Sequence, residues 1–228
     1  MKRRRGETES FGKKTSASPR LSRISVSINN FEFEKQALLD GFEFAAGIDE
    51  VGRGCLAGAV VAAAVILDLN KPLPKGLNDS KKLTANQRTR IAEEIRQTSV
   101  CFSVAQIEAD EIDHINILQA TKKAMLAAAE QLVPAADFLL IDAVNLNNCS
   151  LPQKSIIGGD AVCASIAAAS VLAKVYRDTM MRQLDAVYPE YGFAKHVGYG
   201  TKEHFEAIRK HGACDLHRKS FKGVLPAT

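Results

Sequence analysis

Within a helical pattern running from residue 161 to about 188, the octapeptide Ile166-Ala-Ala-Ala-Ser-Val-Leu-Ala173 is too apolar and too small-sided to face water. A helix apolar all round is buried, and side chains this short let it lie close against a sheet. The chain supplies the sheet. Residues 45–51, 59–67 and 101–107 read as β-rich runs close enough in sequence to form a meander, residues 138–143 as a short buried strand ending in Asp142, and 155–157 as another. Helical patterns occupy 31–42, the stretch that Thr84 N-caps through about Arg96, and 112–132. The pattern is α/β.

At 228 residues the chain has room for one sizeable domain and a tail. Apolar content of 46% and charged content of 25% are ordinary for a soluble chain. No apolar run reaches the roughly 18 residues of a membrane helix, and the N-terminus lacks the features of a secretory signal. No membrane association is expected, and the simplest reading is a cytoplasmic protein, with a monomer as the expectation. Five dispersed cysteines without C-x-x-C spacing exclude a zinc ribbon and a disulfide framework, and five dispersed histidines form no H-E-x-x-H pattern. Residues 1–30 hold eight of the 30 basic residues and two of the 26 acidic ones, leaving a slightly acidic body over 31–228. That serine-rich basic tail is expected to be disordered in isolation.

The segment Ala46-Gly-Ile-Asp-Glu-Val-Gly-Arg-Gly-Cys-Leu-Ala-Gly58 concentrates the chemistry. Asp49 and Glu50 offer hard oxygen ligands to a divalent cation. Gly52 and Gly54 let the backbone approach a sugar or phosphate, and Arg53 supplies a permanent charge. Asp49, Asp142 and Asp160 recur at one kind of place, the end of an apolar strand or the junction from strand to helix. Brought together, such carboxylates raise one another's pKa unless a cation sits among them, and two magnesium ions would resolve the conflict while supporting phosphodiester cleavage. Asp178 lies 18 residues beyond Asp160, roughly 27 Å along a continuous helix, so it is assigned with Arg177 to a structural ion pair. Asp49 and Glu50 present a difficulty, because successive strand residues point to opposite faces.

These segments, together with Asn78-Asp-Ser-Lys-Lys-Leu83, Asn116-Ile-Leu118, Leu140-Ile-Asp142, Gly159-Asp160, Ile166-Ala-Ala-Ala-Ser170, Ala173-Lys174, Arg177-Asp178, Tyr191-Gly192, Gly198-Tyr-Gly-Thr201 and His217-Arg218, resemble ribonuclease HII, the type 2 ribonucleases H, over about residues 40–222. The resemblance implies an RNase H-like fold, a five-stranded mixed sheet flanked by helices, with a helical C-terminal portion from about 190 to 228. It implies Mg²⁺- or Mn²⁺-dependent hydrolysis of the RNA strand of RNA–DNA hybrids. It also implies incision 5′ to ribonucleotides embedded in duplex DNA, as in ribonucleotide excision repair, leaving 5′-phosphate and 3′-hydroxyl ends. The family's catalytic, metal-binding quartet maps onto Asp49, Glu50, Asp142 and Asp160. Gly52, Arg53 and Gly54 match the element that contacts the 2′-hydroxyl, the group that separates RNA from DNA, and Tyr199 matches the tyrosine that stacks on the following deoxynucleotide. Lys174, Lys195 and Lys202 are candidates for flanking phosphates, and His217-Arg218 either steadies the C-terminal portion or reaches substrate.

Three positions depart from the family pattern: Cys55 stands where proline is usual, Ala143 where glycine is usual, and Gly159 where lysine is frequent. None removes a carboxylate. A larger folded N-terminal domain and a different motif at Gly-Arg-Gly set the sister family, ribonuclease HIII, apart. A phosphotransferase loop is disfavoured by the missing G-x-x-x-x-G-K-[ST] spacing, and a non-catalytic module relying on the tail would leave the quartet without a role.

Overall fold

The computed structural model describes residues 31–225; the basic tail anticipated over 1–30 lies outside them. Helix α1 (Glu32–Leu39) leads into β1 (Ala45–Val51) and β2 (Val60–Ile66). A 3-10 turn, Ser80–Lys82, precedes α2 (Ala85–Thr98) and β3 (Cys101–Ile107). Next come α3 (Ala109–Ile115), α4 (Ile117–Glu130), β4 (Phe138–Asp142) and β5 (Gln153–Ile156). The chain continues through α5 (Gly159–Val162), α6 (Ala164–Val187), α7 (Phe193–His196) and α8 (Lys202–His211). The five strands form one mixed sheet in the order β3-β2-β1-β4-β5. The meander β1-β2-β3 is antiparallel, while β4 runs parallel to β1 and β5 parallel to β4.

Alternation along the strands divides the core into two layers. Ala46, Ile48, Val60, Ala62 and Ala64 face α4 through Ala120, Ala124, Met125 and Ala128. Val61, Ala63 and Val65 face α2 and the alanine-rich start of α6 through Ile91, Ile95, Ala164, Ala168 and Leu172. The octapeptide 166–173 is buried throughout, as its composition demands. Gly47 sets the closest approach: a Cβ there would lie 2.1 Å from the Ser165 carbonyl carbon and 2.3 Å from the Ile166 nitrogen. Thr84 N-caps α2 in a full capping box with Gln87.

Two expected helices are broken. The pattern over 112–132 is split at Asn116, whose φ of 68° ends α3 while its side chain accepts the N–H groups of Leu118 and Gln119 and starts α4. An asparagine tolerates that left-handed φ and caps at once, which apolar periodicity does not register. The helix expected from 161 breaks at extended Cys163 (φ −110°, ψ 127°), leaving Asp160 on the separate short α5. At the break, Glu34 of α1 caps α6 from a distance: its Oε1 accepts the Ser165 N–H at 2.7 Å and the Ser165 hydroxyl at 2.6 Å. Among the described residues, no helix is long and apolar enough to cross a membrane.

Candidate active site

Parallel pairing of β1 with β4 puts Ile48 beside Ile141, so the next residues lie on neighbouring strands, Asp49 two positions before β1 ends at Val51 and Asp142 at the end of β4. Adjacent strands lie about 4.8 Å apart. Strand β5 runs parallel beside β4, with Ile156 opposite Asp142, and three residues later the chain turns into α5 with Asp160. The three aspartates therefore lie toward the carboxyl ends of three parallel strands, the usual location of sites in such sheets. The opposite-faces difficulty has a simple outcome. Asp49 opposes Ala63 on the α6 side and Glu50 opposes Ala62 on the α4 side, yet both sense the Asp142 charge at the end of the neighbouring strand.

Each carboxylate is held by its own donor. Asp49, 4% exposed, accepts the Glu50 N–H at 2.7 Å. Glu50 takes the Arg53 guanidinium at 3.2 Å. Asp142 Oδ1 accepts the Gly159 N–H at 2.7 Å, and Asp160 Oδ2 accepts the Lys81 ammonium at 2.7 Å. Splayed onto these donors, the acids do not form a ready-made cage: among the described residues no three His, Cys, Asp or Glu side chains are grouped to hold a metal.

Burial lifts the Asp49 carboxyl well above the usual carboxylate range, and the neighbouring Glu50 and Asp142 charges push the same way. Burial also raises Glu50 against the pull of Arg53, and raises Asp142 against the Gly159 N–H. For Lys81, burial alone would lower the ammonium, but its bond to Asp160 and the surrounding acids outweigh that and raise it. The site is thus short of positive charge, and Lys81 stands where a cation is wanted. All-oxygen carboxylates suit a hard divalent cation better than a softer metal.

Lys81, Ser80 and Ser170 carry more of the site than their sequence context revealed. Ser80 and Ser170 share a buried 2.9 Å hydrogen bond, which ties the 3-10 turn to α6. Asp79 caps that turn by accepting the Lys81 N–H at 2.9 Å, and Arg88 donates to the Ser80 and Leu83 carbonyls. The signal was the motif Asn78 to Leu83 running straight into a capping box. The expected Arg177–Asp178 pair does not form. Asp178 bonds Lys174 at 2.8 Å and approaches Arg88 at 3.9 Å. Arg177, fully buried, donates to the carbonyls of Ala59 (3.0 Å), Val197 (2.7 Å) and Ala57 (3.0 Å). Successive helix residues point about 100° apart, so the two side chains serve different neighbours.

Through those carbonyls Arg177 binds residues 57–59, just after the Gly-Arg-Gly turn, to the C-terminal portion. Arg218, also fully buried, does the same from the other side, donating to Gly58 O at 2.8 Å and to Arg53 O at 2.8 Å. His217-Arg218 therefore steadies the C-terminal portion. An isolated bridge pairs Cys55 with Tyr199, and Leu56 N–H donates to Gly198 O at 2.8 Å. Arg53, Gly54 and Tyr199 are exposed beside one another, with Gly52 buried beneath them. The two glycines differ. Gly52 has φ +92°, and a Cβ there would sit 2.2 Å from Arg177 Nε, whereas one at Gly54 would meet nothing within 4 Å. Protein packing demands the first; only the approach of another molecule would demand the second. Lys174 lies 5.9 Å from the Tyr199 ring centre and is engaged by Asp178.

The departures also have local consequences. Ala143 adopts φ 53°, the left-handed region where a glycine would be unstrained. Cys55 is buried with its thiol toward Val197 O at 3.6 Å, and burial raises its pKa. A Cβ on Gly159 would lie 2.6 Å from Ile166 Cδ1.

Residues 46–224 match the family model described as Ribonuclease HII. The chain is 56% identical to the Ribonuclease HII of Desulfitobacterium hafniense over 191 residues, covering 84% of this chain and 73% of that protein. It is 49% identical to that of Chlamydia pneumoniae over 205 residues, 90% and 95% of the two chains. Among solved structures it resembles RNase HII in the PCNA:RNase HII complex from Archaeoglobus fulgidus, with a TM-score of 0.68 and 25% identity over 82% of this chain and 98% of that one. It also resembles ribonuclease H2 from Pyrococcus horikoshii in fold, with a TM-score of 0.66 and 22% identity over 80% and 95%. The Mn²⁺ complex of Bst-RNase HIII has a TM-score of 0.60 and 20% identity over 79% and 68%.

Proposed function

Because the chain belongs to the ribonuclease HII family, and is on that ground a type 2 ribonuclease H that cleaves the RNA strand of RNA–DNA hybrids, we propose that Asp49, Glu50, Asp142 and Asp160 are its metal-binding catalytic quartet. The observation that carries this is the register of β1 against β4, which sets Asp49 and Asp142 on neighbouring strands, with Asp160 following the third. The ions are Mg²⁺ or Mn²⁺. Bound, they would activate a water for in-line attack on phosphorus and stabilise the leaving 3′-oxygen. The products are 5′-phosphate and 3′-hydroxyl ends.

The protein's own groups supply placement. Backbone groups of Gly52, Arg53 and Gly54 read the 2′-hydroxyl and its neighbouring phosphate, and the open space over Gly54 supports that reading. Tyr199, 41% exposed and coupled to the same turn through Cys55, stacks on the following deoxynucleotide. Lys81, bonded to Asp160 at 2.7 Å, would be placed to meet a substrate phosphate when Asp160 holds a metal. This arrangement extends the activity to ribonucleotides embedded in duplex DNA, the substrate of ribonucleotide excision repair. We assign the enzyme to the cytoplasm as a monomer; residues 31–228 form its catalytic domain, and the basic tail over 1–30 is dispensable for cleavage.

The test is a duplex DNA carrying one ribonucleotide, incubated with Mg²⁺ or Mn²⁺ and then with EDTA. A nick 5′ to the ribonucleotide that EDTA abolishes supports the proposal; intact substrate with both metals refutes it.

A further inference from the structure

Behind the Tyr199 backbone, the C-terminal portion buries three histidines, with His196 9% exposed, His204 0% and His217 1%. His196 stacks on His204 with ring centroids 4.3 Å apart, and His204 meets His217 at 5.2 Å. Phe193 packs against all three rings, and Tyr191 against His217. Their hydrogen bonds fix every proton. His217 Nδ1 lies 3.0 Å from the Cys214 backbone N–H, which can only donate, so that nitrogen is bare and His217 carries its proton on Nε2. His217 Nε2 faces His204 Nε2 at 3.1 Å and donates to it. His204 therefore holds its proton on Nδ1, 3.0 Å from the Tyr199 carbonyl oxygen, which can only accept. His196 closes the set, accepting the Gly198 N–H on Nδ1 at 3.2 Å and donating from Nε2 to Tyr191 O at 2.8 Å.

We propose that the His217–His204 pair is a positioning relay for Tyr199: it links the Cys214 N–H through two neutral imidazoles to the Tyr199 carbonyl and so fixes the angle at which the ring meets substrate. The proposal rests on the substrate-facing reading of Tyr199. With its ring exposed, Tyr199 is held chiefly through its backbone. Its N–H donates to His196 O at 2.9 Å, and its carbonyl takes the Thr201 N–H at 2.8 Å as well as His204. Two histidines therefore grip both sides of one peptide segment, and Gly198 O in that segment also accepts the N–H of Leu56, two residues after the Gly-Arg-Gly turn. Neither imidazole touches substrate; both act through Tyr199.

The experiment compares His204→Phe, His204→Asn and Tyr199→Ala in the full chain on duplex DNA with one ribonucleotide. His204→Phe should raise KM about five- to tenfold, the loss expected from one misplaced contact, with kcat changed less than about twofold. His204→Asn puts an amide N–H where Nδ1–H was, and should restore KM to within about twofold. Nitrogen-resolved imidazole NMR of the wild-type protein should find the proton on Nδ1 of His204 and on Nε2 of His217, a readout that stands even if His204→Phe fails to fold. A proton on His204 Nε2, or an unchanged KM in folded His204→Phe, or no recovery in His204→Asn, overturns the relay. If Tyr199→Ala raises KM while His204→Phe does not, the relay alone fails. An unchanged KM in Tyr199→Ala removes the substrate role of Tyr199 and the relay with it.

Discussion

Replacing Gly47 with alanine sets the packing of the sheet against α6 in direct conflict with the geometry of the acids. The new methyl would lie 2.1 Å from Ser165 C, 2.3 Å from Ile166 N and 2.5 Å from Ser165 Cβ, where ordinary contact begins near 3.4 Å. Two of those atoms are backbone, so no rotamer relieves them, and α6 must withdraw from β1 by about 1.3 Å. Overpacking of this kind costs about 1–3 kcal/mol, which in a domain of this size lowers Tm by about 3–10 °C. The shift also moves α6 away from Asp49 on β1, two residues after Gly47, and misplacement near 1 Å costs about a hundredfold in rate. Gly54→Ala is the counterpart, since its methyl meets nothing within 4 Å. It should melt like wild type and lose cleavage of duplexes with one ribonucleotide. Thermal melts and single-turnover cleavage on the same preparations decide the matter. A Gly47→Ala protein with wild-type Tm and rate, or a Gly54→Ala protein with wild-type cleavage, refutes the reasoning.

Arg177→Met leaves the carbonyls of Ala57, Ala59 and Val197 without their buried donor; urea unfolding should show a loss of about 3 kcal/mol or more, with weaker substrate binding as the Gly-Arg-Gly turn loosens. Glu34→Ala strips the cap from Ser165 at the start of α6 and should lower stability by about 2 kcal/mol in the same assay. Stability should also depend on acidity. Burial lowers His204 to about 4 and lowers His217, while the unfolded chain takes up these protons near pH 6.5. Their neutral forms therefore contribute fully above about pH 6.5, and the contribution drains away as pH falls toward 4, by at most about 3 kcal/mol for His204. The groups facing the pair are His196, Tyr191 and Cys214, none of them an acid that would hold the protonated form. His204→Asn should flatten the decline in unfolding free energy between pH 6.5 and 4.5; an identical slope contradicts the assignment.

Much of the architecture was legible because burial writes itself into composition. The all-apolar β2 and the alanine-rich α6 announce a two-sided sheet, and β1, β2 and β3 fall within a residue of their expected bounds. What escaped was set by single residues rather than by periodicity: Asn116 and Cys163 each interrupt a continuous apolar pattern with one backbone rotation. The aspartates were visible as candidates at strand ends and the strand-to-helix junction, but the placement of Asp142 beside Asp49 depends on β4 inserting beside β1, a long-range pairing that no local pattern encodes. The same limit hid Lys81 at Asp160 and the reach of Arg177 across to Val197. Arg177 and Asp178 look like an ion pair only in one dimension. The three histidines, scattered over 196–217, carried no spacing signal because they meet by tertiary packing around Phe193.

The central claim is that acids from three parallel strand ends act as one hydrolytic centre. The most direct measurement is single-turnover nicking of duplex DNA bearing one ribonucleotide by Asp49→Asn, Asp142→Asn, Asp160→Asn and, for comparison, Asp178→Asn. The first three should each lose at least about a hundredfold in rate. Asp49→Asn and Asp142→Asn should melt no lower than wild type, because a neutral amide relieves a buried charge that the fold resists. Asp178→Asn should keep its rate within a few-fold and melt lower, having lost Lys174 and Arg88. Wild-type nicking by Asp142→Asn, or its loss only in Asp178→Asn, would contradict the account.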